Sequence, residues 1–339
     1  MTNFITKFIT PEELPLVIEP DNKNIQLNEF HNLLRSKNDY FKKQLLKHGA
    51  LLFRNFPVQN EHDFTSVIKH LNTGEFLNYI GGDSPRNKIT EEVYTSTEAP
   101  PSMKLPLHNE LSYVKNYPQH IFFYCHIAPE DHGQTIISDA RTIYRAINDQ
   151  VKQRFEEKGL RYISCYPLNS PIMNAINKHH KSWVNVFETH DKQEVERKCE
   201  ENEIFYQWNH NDWLQISQVR PAAIEHPETH EKVWFNQAHH FDFNPKFLGW
   251  WRYIGTKLLY CRKHTLLHDV SFADHTSISR KDLYHIYDVL DQHTVYFPWK
   301  KGDVLVLDNV LCMHGRAPFT GKRRILTAMT GSGNPSSAH

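Results

Sequence analysis

The chain has 339 residues, with 39 basic against 39 acidic side chains and a formal net charge of zero. That balance gives no reason to expect nucleic acid or an anionic membrane as its main partner, and 39% hydrophobic with 12% aromatic residues excludes a disordered chain. The length allows one large domain or two modest ones.

The N-terminal run MTNFITKFITPEELPLVIEP lacks a basic segment followed by an apolar core, so no signal peptide is expected, and no run approaches the length of a bilayer span. NDYFKKQLLKHG (38–49) carries apolar residues at helical spacing and stops on a glycine, which predicts a helix. ALLFRNFPV follows as a short buried strand, and NEHDFTSVIKHL as a second amphipathic helix. Beyond them the pattern changes to short apolar or alternating runs separated by turn chemistry: HIFFYCHIAP, QTIISDA, RYISCYP, KVWFNQAHHF, HTVYFPWKKGDVLVLDNVLCMHGRAPF and RRILTAMTG. Such a series predicts a mostly β fold with flanking helices, built as an antiparallel double-sheet roll or barrel.

A more polar, partly helical stretch from about Arg141 to Glu231 interrupts the strands, which resume at Val233. It reads as an elaboration inside a single domain spanning residues 1–339. The tail GSGNPSSAH reads as frayed. Five cysteines, Cys125, Cys165, Cys199, Cys261 and Cys312, stand singly with no CxxC, which argues for reduced thiols and a cytoplasmic location.

The stretch KLPLHNELSYV (104–114) sets His108 and Glu110 two residues apart in a run that otherwise reads as buried strand. Residues i and i+2 of a strand share a face, so imidazole and carboxylate project to one point. Burying that carboxylate costs free energy unless something compensates it. In GDVLVLDNVLCMHGRAPF an apolar strand turns at DN and His314 lies on the return. Two histidines and one carboxylate from separate strands are what a non-haem iron(II) oxygenase needs to hold one face of an octahedron and leave the other open. Taken alone, HxE among 23 histidines is an easy coincidence, and a hydrogen-bonded pair on a half-exposed strand is the plain alternative. A third feature adds weight: Arg323 and Arg324 start the strand after His314, where an arginine pointing inward can grip a carboxylate with two parallel hydrogen bonds.

HxE on an early strand, GQT shortly after, and DN…HGR.PF.G.RRIL near the end together resemble the taurine dioxygenase-like superfamily of iron(II)/2-oxoglutarate oxygenases, from HGALLFRNFP to TAMTG. The glutamate in place of the commoner aspartate, with LPLHNELSY and VWFNQAHHF, is most similar to the clavaminate synthase-like and syringomycin-hydroxylase-like branch. The resemblance implies a double-stranded β-helix (jelly roll, cupin-like) core. It makes His108, Glu110 and His314 the iron ligands, with 2-oxoglutarate and O2 as cosubstrates. Thr135 would then hydrogen-bond the distal carboxylate of 2-oxoglutarate and Arg324 would pair with it, leaving Arg323 more exposed.

Taurine-type enzymes carry a second arginine four residues after the one that holds 2-oxoglutarate; here that position is Ala328, so a sulfonate substrate is not expected. Phe235 and Asn236 stand near the expected site as substrate candidates, Asn236 with an ordinary strand asparagine as its alternative. Arg316 is a candidate for a substrate carboxylate or for support of the site, and STEAPPSM (96–103) for part of a lid. Glu110 leaves no ligand position for chloride, so hydroxylation is expected over halogenation, with desaturation or cyclisation open. The branch implies an amino-acid-like substrate, free or carried on a carrier protein, in secondary metabolism. A metal-dependent hydrolase would need HExxH or an equivalent, which is absent, and a non-catalytic binding protein would be expected to have lost a ligand.

Overall fold

The computed structural model describes residues 3–77, 87–97, 99–168, 181–209, 212–259 and 267–333. Two sheets organise it. The larger has seven strands in the order Phe4–Phe8, Leu16–Pro20, Ala50–Phe53, Val304–Asp308, Tyr117–Ile127, Arg324–Gly333 and Tyr94–Thr95. The smaller has four, in the order Val295–Tyr296, Thr135–Asp139, Cys312–Arg316 and Leu105–His108. Pairing is antiparallel except between Leu16–Pro20 and Ala50–Phe53, which run parallel.

The central strands of the large sheet are buried on both faces. Phe123, Leu305, Ile325 and Met329 pack with Ile136, Ile137, Leu107 and Met313 of the small sheet into one core. Phe122, Tyr124, Val306, Leu326 and Ala328 point the other way, against the helices Leu27–Ser36, Asn38–His48 and Glu61–Leu71. Those helices form where expected. Gly49 closes the second of them at a φ of 73°, and the Asn60 side chain accepts from the backbone N–H groups of His62 and Asp63 to start the third.

One buried ion pair joins the residue after Ala50–Phe53 to the residue before its sheet neighbour Val304–Asp308. Arg54 Nη2 lies 2.6 Å from Asp303 Oδ2 and also donates to the Pro298 carbonyl at 2.6 Å. Both side chains are almost wholly buried, so removing one partner strands the other's charge. Arg54→Met is expected to lower unfolding free energy by about 3–5 kcal/mol, read from urea denaturation.

Among the described residues, no strand between Asp139 and Val295 joins either main sheet, so these sheets do not resume at Val233. Lys232–Trp234 pairs with Ala223–Glu225 in a two-stranded sheet and with neither main sheet. Leu160–Tyr166, Phe205–Trp208, Leu214–Arg220 and His268–Phe272 make a separate four-stranded sheet. The main sheets resume only at Val295, where Val295–Tyr296 pairs with Ile137 and Ile136. The apolar run at Val233 satisfies a local hairpin and a buried contact of Trp234 with Phe155, which is why it imitates a main-sheet strand. Cys261, residues 334–339 of the tail, and Glu98 within STEAPPSM lie outside the described residues. Among the described residues no helix is long and apolar enough to cross a membrane.

Candidate active site

The two strands that pair as Cys312–Arg316 and Leu105–His108 set His314 directly opposite His108. Their rings stand 4.5 Å apart between centroids. Glu110 does not share a strand face with His108, as the i, i+2 rule implies. The strand ends at His108, and Glu110 lies in the turn that follows, where Leu111 takes a φ of 54°. The turn still delivers its carboxylate: Oε2 lies 3.5 Å from His314 Nε2, and one donor atom from each of the three residues lies within 4.8 Å of the others. This is the only group of three or more such residues among those described that could hold a metal.

The donor set fits a divalent iron. The His108 Nδ1–H donates to the Pro106 carbonyl at 2.9 Å, which leaves Nε2 with a free lone pair for a metal. Burial, then the neighbouring His314, pulls His108 down to about 3, so it is a neutral imidazole and a competent ligand. Phe123 packs on His314 at 5.2 Å and walls the site with apolar surface.

A small cavity of about 30 Å³ opens beside the triad, lined by Thr135, Arg316, Arg323, Phe123, Ser96 and Thr97 together with the two histidines. The arginine that faces it is Arg323, not Arg324. Arg323 Nε donates to the Gly133 carbonyl at 2.7 Å, and its Nη2 lies 3.4 Å from the Thr135 hydroxyl. Trp299 Nε1–H donates to that same hydroxyl at 3.2 Å. Arg324 is exposed at the head of its strand. Among the described residues no carboxylate pairs with Arg323; burial, then Arg316, pulls it down to about 9. A part-buried cation facing a cavity, with no counter-ion among the described residues, is a site for an anion.

The same alternation corrects the position read as Ala328. Four residues beyond the inward arginine stands Thr327, paired with Phe123 across the sheet, wholly buried, its hydroxyl without a hydrogen-bond partner. Ala328 faces the helices. No cation occupies either position, so the expectation of no sulfonate grip stands with a different residue.

The other substrate candidates are engaged elsewhere. Asn236 donates to the Ala222 carbonyl at 2.7 Å and accepts from the Ala238 N–H at 3.1 Å, and Phe235 packs on Tyr117 at 4.6 Å in the core. The segment around them braces the metal strand from behind: His239 Nε2 meets the Leu107 carbonyl at 2.8 Å and His240 Nε2 the Pro106 carbonyl at 3.2 Å. Arg316 reaches the loop over the site, donating to the carbonyls of Ala99, Pro100 and Met103 at 3.0, 2.7 and 3.0 Å. The stretch read as a lid is therefore held down by a guanidinium on the strand that carries His314. The sequence reading assigned no role to Trp299, or to Gly315 and the bracing histidines, although the last three lie inside quoted motifs.

A model of the family described as taurine catabolism dioxygenase TauD, TfdA matches residues 10–330. The dapdiamide synthesis protein DdaC of Enterobacter agglomerans is 33% identical over 287 residues, 84% of this chain and 83% of its own. A clavaminate synthase-like protein of Arabidopsis thaliana is 29% identical over 332 residues, 95% of each chain. Among solved structures, PvcB, an Fe, alpha-ketoglutarate dependent oxygenase from an isonitrile synthetic pathway, shares the fold with a TM-score of 0.51 at 14% identity, over 95% of this chain and 88% of that one.

Proposed function

This chain belongs to the TauD/TfdA family of dioxygenases, with iron(II) and 2-oxoglutarate as its cofactors, and from that premise we propose that it hydroxylates an amino-acid-like substrate, free or carried on a carrier protein, in secondary metabolism. The observation that carries the reading is the meeting of His108, Glu110 and His314 beside Arg323, a part-buried guanidinium with no carboxylate partner among the described residues. The two sheets that share one core are read as the jelly roll of this family.

In this reading His108, Glu110 and His314 hold the iron, and Arg323 with Thr135 takes the far carboxylate of 2-oxoglutarate. Bound together, iron and 2-oxoglutarate supply the oxidant that removes hydrogen from a substrate C–H bond. The protein's share is orientation and exclusion of water. Phe123 and the loop clamped by Arg316 close the apolar side of the site. With Thr327 and Ala328 at the two positions where a second arginine would be needed, a sulfonate substrate is disfavoured. Glu110 fills the third protein position on the metal, which favours hydroxylation, desaturation or ring closure over halogenation. Support for a biosynthetic substrate comes from the relative named for dapdiamide synthesis.

The test is succinate formation from 2-oxoglutarate under air with added iron(II), screened against an amino-acid panel. Stimulation by one class of amino acid, lost in His108→Ala, is the expected result. Slow turnover that no free amino acid stimulates, yet an aminoacylated carrier protein does, would select the tethered form of the substrate. Wild-type protein that makes no succinate with any of these would overturn the reading.

A further inference from the structure

We propose that Asn309 is a positioning residue that fixes where the Glu110 carboxylate stands relative to His108 and His314; this rests on the metal role read for those three residues above. The side chain of Asn309 grips both peptide groups of Glu110. Its Oδ1 accepts from the Glu110 N–H at 2.7 Å, and its Nδ2 donates to the Glu110 carbonyl at 3.0 Å and to the Pro118 carbonyl at 2.8 Å. The Asn309 carbonyl in turn accepts from Asn109 Nδ2 at 2.6 Å, and Gln237 Nε2 donates to the Asn109 carbonyl at 2.7 Å from the opposite side.

These bonds matter because Glu110 lies beyond the end of its strand, where no ladder orders the chain. One wholly buried amide thus does for this turn what a neighbouring strand does elsewhere. Asn309 is itself anchored. Its N–H donates to the Gln119 carbonyl at 2.8 Å. The preceding Asp308 accepts from the N–H groups of Val310 and Leu311 at 2.9 and 3.0 Å and meets His226 Nε2 at 3.0 Å. The anchor therefore runs from the metal carboxylate through the large sheet into the inserted region, which carries His226 and Gln237.

A locked peptide makes ligand length decisive. Shortening the side chain by one methylene withdraws the carboxylate by about 1.5 Å, and the backbone cannot follow while Asn309 holds it. Released from that hold, the turn can advance and recover part of the distance.

The experiment is a double-mutant cycle on the full chain, with Mn(II) affinity read by electron paramagnetic resonance and folding checked by thermal melting. Asn309→Ala is expected to weaken Mn(II) binding about 10- to 100-fold, the range for groups that orient metal ligands. Glu110→Asp should cost at least as much in the wild-type background but less than about threefold more in the Asn309→Ala background. Losses that simply add would overturn the proposal and leave the metal reading intact. Wild-type protein that binds no Mn(II) would overturn both. If Asn309→Ala does not fold, Asn309→Ser keeps an oxygen for the Glu110 N–H, drops the two Nδ2 donations, and enters the same cycle.

Discussion

Arg323→Ala raises the KM for 2-oxoglutarate about 30- to 1,000-fold, whereas Arg324→Ala leaves it within about threefold of wild type. The first figure follows from the cost of truncating one partner of a buried, hydrogen-bonded charge pair, about 2–4 kcal/mol at 1.4 kcal/mol per tenfold. Arg323 is set up for that role: its Nε is spent on the Gly133 carbonyl, its Nη2 is held near Thr135, and no described carboxylate neutralises it. Arg324 stands in solvent, where a charge contributes little to a bound anion. Arg323→Lys keeps the charge but loses the planar fork, so it should fall between the two variants. KM measured by succinate formation at saturating iron decides the matter. Sensitivity at Arg324 with indifference at Arg323 would restore the assignment that the family resemblance implies.

Why the sequence misleads at this pair is physical. An alternating strand announces its inward face when the other face is wet, but Arg324–Gly333 is covered on both sides: Ile325 and Met329 sit in one core, Leu326 and Ala328 in the other. Apolar residues on both faces erase the parity signal. A register shift between Arg324 and Ile325, where Arg324 faces Ile127 and Ile325 faces Cys125, adds a bulge that no composition reveals. The helices were legible for the converse reason. Gly49 and Asn60 are local devices with local signatures, and one stripe of each helix meets water. The triad was legible because its chemistry is rare enough to name itself once all three members are set beside one another. Its supports were not: Asn309 reads as half of a turn, and VWFNQAHHF reads as a strand although only Lys232–Trp234 is one. Those residues act through backbone carbonyls far away in sequence, and backbone contacts leave no side-chain pattern to read.

Gly315→Ala should weaken metal binding at least about tenfold while leaving most of the fold. Gly315 lies between His314 and Arg316 on the strand that faces Leu105–His108. An added Cβ would stand 2.8 Å from the Pro106 carbonyl oxygen, closer still to that of Leu105, and 3.0 Å from Ile136 Cγ1. Backbone oxygens cannot swing aside as a side-chain tip can, so one of the two strands must move. Leu105–His108 is the outer strand of the four, with no further neighbour in its sheet, and it yields at the least cost. The movement carries His108 away from His314 and strains the Pro106 carbonyl that fixes its tautomer. Overpacking of this kind costs about 1–3 kcal/mol of stability, which an edge strand can absorb. Loss of the support that orients a metal ligand costs about 10- to 100-fold in metal affinity. The expected pair of results is a modest fall in melting temperature and a loss of Mn(II) affinity of at least about tenfold. A variant that melts early but binds Mn(II) like wild type would mean that the strain leaves through the other strand, and that Gly315 serves the sheet and not the site.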